Sequence, residues 1–525
     1  MTTSGGRPPA GSGTPVLAER PTPGTPRSYE FPPVTDQRLP NGLRILAADL
    51  PGRPLVSASI VLRNGAADEP AGDAGATVLA ARALSEGTEQ YDAIALLEAA
   101  ERLGASLHAE AGWDALSAGV EVPRDRLEAA LELLAEMVLH PTFPEREVER
   151  LRDERLNDLL QAKADPRRRA DEAFVATIYA PESPYHRPAG GTRETVERLG
   201  PAQLRRAYGR GLDPARATFV IAGELDGMDL LTTVQRLFGS WSSPPSVAER
   251  GSIVDTARSE RRIVRVLHRP GSVQSEIRIG HRGLPRGIPD FHAVAVMSSI
   301  LGGLFNSRLN MNLREEKGYT YGAGAGFDLR RAAGPFSARA AVNTEVTLPA
   351  IQEFLTELGR MREDDVTEAE LRAARDFLIG VFPLRFETAG AVGGALAGLV
   401  IHDLEVEELI GYRRAIEAVS AADVAAAARE HLLVDRASIV VVGDADAFGA
   451  ALESAGLGPL EIERDEGPIA PGPLPDGDES VGPVDDEGDA GPTAGAEEPD
   501  LPGRSDDPAS ADAGPAEIVE PDEGH

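Results

Sequence analysis

The sequence predicts an α+β fold made from two copies of one unit, and three observations carry that reading. Residues 199–226 (LGPAQLRRAYGRGLDPARATFVIAGELD) and 419–446 (VSAADVAAAAREHLLVDRASIVVVGDAD) align without a gap at a constant offset of 220 residues. Each reads as a capped amphipathic helix, a short turn and an apolar strand ending in a glycine, Gly223 or Gly443, followed by an acid. Strand pairs alternate with helices around these segments, which is the pattern of an α+β class. A chain of 525 residues exceeds one ordinary core. A repeat this long is a duplicated domain, because solenoid units run only about 20–50 residues.

The first copy opens with an expected strand pair, residues 42–48 (GLRILAA) and 55–63 (LVSASIVLR), joined through the turn residues Pro51 and Gly52. An alanine-rich helix follows at 74–85 and a second at 92–103. Then come a strand pair within 106–122, a helix at 124–139, and further helices in the charged segment 144–164 and in 192–209. The expected layout is a Pro/Gly-rich start over 1–32, a first domain over 33–240, a linker over 241–260, a second domain over 261–450, and a tail over 451–525.

Composition narrows the function. The net charge is −32, of which about −17 falls after Asp465, where 18 acids face the single Arg504. That tail lacks Phe, Tyr and Trp, so it is expected to be a solubilising disordered segment. So acidic a chain without a basic stripe argues against nucleic-acid binding. The absence of cysteine excludes disulfides, thiolate metal sites and cysteine nucleophiles. No apolar run approaches the ~18 residues of a membrane span, and the start lacks a secretory pattern. The expectation is a cytoplasmic protein that does not engage membranes.

Three blocks, 39–70 (LPNGLRILAADLPGRPLVSASIVLRNGAADEP), 165–199 with SPYHRPAGGTRETVERL, and 302–322 (GGLFNSRLNMNLREEKGYTYG), resemble the insulinase-like or pitrilysin-type M16 metallopeptidases in order and spacing. The resemblance spans about 33–448. It implies two metallohydrolase-like α+β domains forming half of a clamshell around an extended peptide. Active members carry H-x-x-E-H on the first copy's helix, with two imidazoles on zinc, a glutamate that activates water, and a later acidic ligand. Here the segment reads GATVLAARALSEGT, so the motif positions are Val78, Ala81 and Arg82. The third ligand position falls near Asp158, with Glu154 one turn earlier as the other candidate. None of the nine histidines lies three or four residues from another. The expectation is no catalytic zinc in this chain.

The second copy keeps what the first has lost. The resemblance implies that an arginine and a tyrosine seven residues later face the zinc from the opposite half. Arg314 and Tyr321 stand at that spacing in LREEKGYTY. Gly318 is expected to stop the helix, leaving Arg314 in its last turn and Tyr321 on the following strand. By resemblance, Tyr321 would donate to the oxyanion of the attacked carbonyl and Arg314 would grip a substrate carbonyl. Taken alone, such a pair is usually a helix-end cation and a strand aromatic. His108 sits on 104–113, where the family's substrate-pairing edge strand falls, and is a substrate-binding candidate beside the plainer reading of an exposed strand histidine. The glycine-rich segment 390–400 (GAVGGALAGLV) lacks the lysine of a phosphate loop and reads as close packing through small residues.

Two functions compete. In the first, this chain is the zinc-free subunit of a heterodimeric peptidase, giving Arg314 and Tyr321 to a partner that holds H-x-x-E-H and the zinc and cleaves a peptide substrate. In the second it is a catalytically inactive scaffold or peptide-binding protein. Autonomous peptidase activity is the least supported, since no ligand cluster is evident.

Overall fold

The computed structural model describes residues 28–242 and 251–464. In the first half the order is β1 (Val34–Arg38), β2 (Arg44–Asp49), β3 (Leu55–Leu62), α1 (Ala76–Ala83), α2 (Ala93–Leu103), β4 (Ser106–Ala111), β5 (Leu116–Pro123), α3 (Leu127–Leu139), α4 (Glu145–Ala164), α5 (Pro166–Ile178), α6 (Arg193–Val196), α7 (Pro201–Gly211), β6 (Ala217–Gly223) and α8 (Leu230–Phe238). The second half contributes β7 (Val264–His268), β8 (Gln274–Arg282), α9 (Phe291–Ser298), β9 (Ala323–Phe327), β10 (Pro335–Asn343), α10 (Thr347–Glu363), α11 (Glu368–Val381), α12 (Ala389–Ile401), α13 (Glu407–Ala418), α14 (Ala421–His431), β11 (Ser438–Gly443), α15 (Ala445–Ala455) and β12 (Leu460–Arg464).

Each half forms one six-stranded sheet, in the orders β1-β2-β6-β3-β5-β4 and β12-β7-β11-β8-β10-β9. The repeat extends well beyond the two segments that revealed it. At the same offset of 220, β2 and β7 begin at Arg44 and Val264, α3 and α10 at Leu127 and Thr347, and α7 and α14 at Pro201 and Ala421.

The expected pairing of the first two strands is corrected. β2 and β3 do not touch as a hairpin, because β6 inserts between them, parallel to β2 and antiparallel to β3. All seven residues of β6 (ATFVIAG) are buried, and such a strand needs a central place with both faces covered. Two strands were not foreseen. β1 and β12 lie at the outer edges of their sheets and present mostly exposed polar side chains. β12 pairs in parallel with β7, so the second domain runs to Arg464 rather than to 450. At the other end Phe31 is buried and meets Phe386 edge-to-face at 5.1 Å, which places the first domain's start before residue 33. The remainder of the Pro/Gly-rich start and the acidic tail from residue 465 lie outside the described residues.

One face of each sheet is covered by its own helices and the other by a helix from the opposite half. α12 lies across β2, β3 and β6, while α5 lies across β8 and β11. The small residues of α12 permit that approach: a Cβ at Gly390 would fall 2.1 Å from Glu121 Oε1. The expected close packing is therefore helix on sheet, between halves. A second tie comes from the β9–β10 connection. Arg330 lies over the rings of Trp113 and Tyr185, 4.6 Å from each centroid, and Arg331 Nη2 pairs with Asp68 Oδ1 at 2.6 Å. Tyr179 closes the joint by donating to the Ala333 carbonyl at 2.8 Å.

Candidate functional site

Helix α1 carries the degenerate motif. Its N-terminal amides at Gly75 and Thr77 donate to the Glu69 carboxylate at 2.8 and 2.5 Å, anchoring the first turn. Burial pushes the Glu69 carboxyl up, against the pull of those amides. Leu79, Ala80 and Ala83 pack into the core. Val78 is half-buried and Arg82 exposed, one turn apart on one face, while Ala81 is fully buried.

The structure discriminates between the two candidate acids on α4. Arg82 Nη2 donates to Glu154 Oε2 at 2.8 Å. The other oxygen of Glu154 accepts from Arg150 at 2.5 Å, and Arg150 reaches on to Glu86 at 2.6 Å and Glu147 at 2.9 Å. Burial alone would raise the Glu154 carboxyl, but the two guanidinium groups hold it below its ordinary value. Asp158 is turned to Arg168 at 2.8 Å and to Arg155, and hydrogen bonding to Arg168 leads the lowering of its carboxyl. Glu154, not Asp158, is the acid that faces the motif.

These residues do not fit zinc. Val78 and Ala81 offer no donor atom, and Arg82 places a permanent cation beside the one acid that a metal would need. Two groups in the second half bring histidine and carboxylates together, His268 with Asp444 and Asp446, and His431 with Asp290 and Glu430. Their ligand atoms are largely engaged. His268 Nδ1 accepts from the Ala445 amide at 3.1 Å, Asp446 pairs with Arg464 at 2.7 Å, and His431 Nε2 lies 2.7 Å from Asp290. Neither group involves α1 or α4.

The opposite constellation sits on two widened helical turns, Ser299–Gly303 and Asn310–Glu316, both π-helical. The bonds Leu304 N to Ser299 O at 3.1 Å and Lys317 N to Asn312 O at 3.0 Å span five residues each. Such turns re-aim side chains and recur at functional sites. Asn310 clamps the region from inside, donating to Leu304 O at 3.2 Å and accepting from Ala323 N at 2.8 Å. Asn312 anchors the second turn to α10 through Glu353 at 3.0 Å and Glu357 at 2.8 Å. Gly318 ends it with φ +65°.

Arg314 lies in the last turn. Its Cζ stands 4.3 Å above the Phe305 ring, and its one ionic neighbour is the adjacent Glu315 at 3.5 Å. The guanidinium is thus held by a cation–π contact and this loose ion pair, and no hydrogen bond of 3.5 Å or less within the described residues consumes its side-chain N–H groups. Tyr321 departs from expectation: it precedes β9 by two residues and lies in a loop, where Thr320 Oγ1 bonds both the N–H and the C=O of Gly322. The two glycines flanking the expected strand start, together with this threonine turn, favour a bend over extended pairing. Tyr321 is 93% exposed, and no hydrogen bond or ring contact joins it to Arg314 among the described residues. Phe305, 69% exposed, was not singled out from sequence; an aromatic beside a glycine pair in the 302–322 block is the signal that could have found it.

His108 is exposed on β4, an edge strand paired only with β5 among the described residues. Its ring lies across its cross-strand partner, since a Cβ at Gly119 would fall 2.6 Å from His108 Nε2. The structure thus brings Arg82 to Glu154 and Arg314 to Phe305, and leaves His108, Asp158 and Tyr321 in separate surroundings.

The two repeated α+β units, with a first-half helix that offers no metal ligands, define a class, the metallopeptidase homologues. Comparison with known proteins agrees. The insulinase (peptidase family M16) model matches residues 44–189, and the peptidase M16 inactive domain model matches 198–378. The chain belongs to the M16 peptidase family. A Mycobacterium tuberculosis relative named uncharacterized zinc protease is 28% identical over 408 residues, 77% of this chain and 92% of its own. The non-peptidase homolog YmxG of Helicobacter pylori is 24% identical over 347 residues, 64% of this chain and 76% of its own. A solved Pseudomonas fluorescens structure described as a peptidase M16 inactive domain superposes with a TM-score of 0.71 at 24% identity, over 78% of this chain and 98% of that one. A Helicobacter pylori protease structure gives 0.73 at 18% identity, over 79% and 100%. Those two likenesses carry the fold alone.

Proposed function

We propose that this chain is the zinc-free subunit of a split-site M16 peptidase acting in the cytoplasm. A partner chain with intact H-x-x-E-H holds the zinc and the general base. This chain contributes Arg314 to grip a backbone carbonyl of the peptide and Tyr321 to donate to the developing oxyanion. The observation that carries this reading is the asymmetry of commitment: Arg82 and Glu154 pair across two helices, while Arg314 has only the adjacent Glu315 at 3.5 Å and the Phe305 ring beside it and Tyr321 is 93% exposed. A donor that serves another chain must be exposed in isolation.

The test is a tagged pull-down of the chain from its native host, with mass-spectrometric identification of stoichiometric partners. Recovery of a similar-sized H-x-x-E-H chain supports the split site. Recovery of this chain alone, or with unrelated proteins, overturns it in favour of an inactive scaffold.

A further inference from the structure

Phe305 is 69% exposed, and among the described residues its ring meets no other aromatic ring and one cation, Arg314, whose Cζ stands 4.3 Å from the ring centroid. Single exposed apolar residues are ordinary on protein surfaces. What sets Phe305 apart is how its place is fixed and what it lies against.

Buried bonds bring the two side chains together. Leu304, next to Phe305, is buried, and its carbonyl accepts from Ser307 N at 3.1 Å and from Asn310 Nδ2 at 3.2 Å. Its own N–H closes the first π-helical turn on Ser299 O at 3.1 Å. Asn310 opens the second turn, the one that carries Arg314, and Asn312 ties that turn to α10 through Glu357 at 2.8 Å. Asn310 therefore holds the backbone beside the ring and the backbone beneath the guanidinium at once.

An aromatic face restrains a guanidinium without spending an N–H, whereas an ion pair spends the groups that would bind a carbonyl. Arg308 shows the second case, giving Nε and Nη2 to Glu370 at 2.7 and 3.2 Å. Arg314 has an acid at hand as well, but Glu315 stays at 3.5 Å. Exposed ring–cation and surface ion-pair attractions are of similar small size, so a ring in this position is enough to set the balance between them.

We propose that Phe305 is a positioning residue for peptide binding: it holds Arg314 clear of Glu315, with its N–H groups ready for a backbone carbonyl. The proposal rests on the split-site reading of Arg314 and adds how that group is kept available.

The test is KM and kcat of the complex with an H-x-x-E-H partner, on an internally quenched peptide that the parent complex cleaves. Arg314→Ala should raise KM about tenfold or more with little change in kcat, as loss of a charged hydrogen bond to bound substrate does. Phe305→Leu keeps apolar bulk and loses the aromatic face, and should raise KM about two- to fivefold. Phe305→Trp should keep the parent value. In the Arg314→Ala background Phe305→Leu should add nothing, because no cation is left to position. An Arg314→Ala complex with the parent KM overturns the split-site reading and this proposal with it. A raised KM for Arg314→Ala beside an unchanged one for Phe305→Leu overturns the positioning role alone. So does a Phe305→Leu effect that persists without Arg314, which makes the ring a direct apolar contact for the peptide.

Discussion

Arg82 on α1 donates to Glu154 on α4 across 2.8 Å, so that a guanidinium bridges two helices that a metal would join in an active relative. The pair is a surface one, with 44% and 43% of the two side chains exposed. Exposed pairs contribute about 0–1 kcal/mol, so Arg82→Ala should lower stability in urea unfolding by no more than about 1 kcal/mol. The loss should shrink further in high salt.

Restoring imidazoles should restore the metal. Val78→His/Arg82→His places two rings one turn apart on the exposed face of α1, with Glu154 already opposite. That variant should hold about one zinc per chain after gel filtration, measured by mass spectrometry of the metal, at the three-ligand stoichiometry of such sites. Adding Glu154→Ala should abolish retention, whereas adding Asp158→Ala should not. Zinc in the parent chain would contradict the assignment of α1.

Arg331 should matter far more than Arg82. It pairs with the half-buried Asp68 at 2.6 Å and lies 3.8 Å from the buried Asp114, to which its backbone N–H also donates at 2.9 Å across the two halves. Arg331→Ala removes the cation that faces both carboxylates and should cost about 1–3 kcal/mol, read by urea unfolding.

The same joint gives a pH dependence of defined sign. Burial raises the Asp114 carboxyl above its ordinary value of 3.8, and Arg331 opposes the rise. A carboxyl raised on folding favours the fold below that unfolded value and loses this contribution as pH climbs through the folded one. Without Arg331 the rise is larger. The deficit of Arg331→Ala relative to the parent should therefore be greater at pH 7 than near pH 4; a deficit that grows on acidification would contradict the placement of Asp114.

Much of this architecture was legible from sequence because the repeat is carried by buried strands and capped helices. β6 and β11 are buried throughout, and α7 and α14 start at the matching positions Pro201 and Ala421. What escaped was what local pattern does not encode. β1 (VTDQR) and β12 (LEIER) are polar edge strands whose only apolar signal is one or two residues. The insertion of β6 between β2 and β3, and the exchange of α5 and α12 between halves, are long-range events. At the site, the spacing of Arg314 and Tyr321 was visible, but the π-helical turns and the Phe305 stack arise from Asn310 and Asn312 reaching into neighbouring elements. The choice of Glu154 over Asp158 depended on how α1 and α4 face each other, which spacing alone left open.

Exposure makes Tyr321 a clean probe, since Tyr321→Phe removes one hydroxyl from a side chain that packs on nothing and should leave stability within about 0.5 kcal/mol. The decisive measurement is peptide turnover by this chain reconstituted with an H-x-x-E-H partner, comparing the parent with Tyr321→Phe. Loss of an oxyanion donor should lower kcat by about 10²–10³ with little change in KM, and neither chain alone should turn over. Unchanged kcat in the variant complex would show that this chain lends no hydroxyl to the reaction.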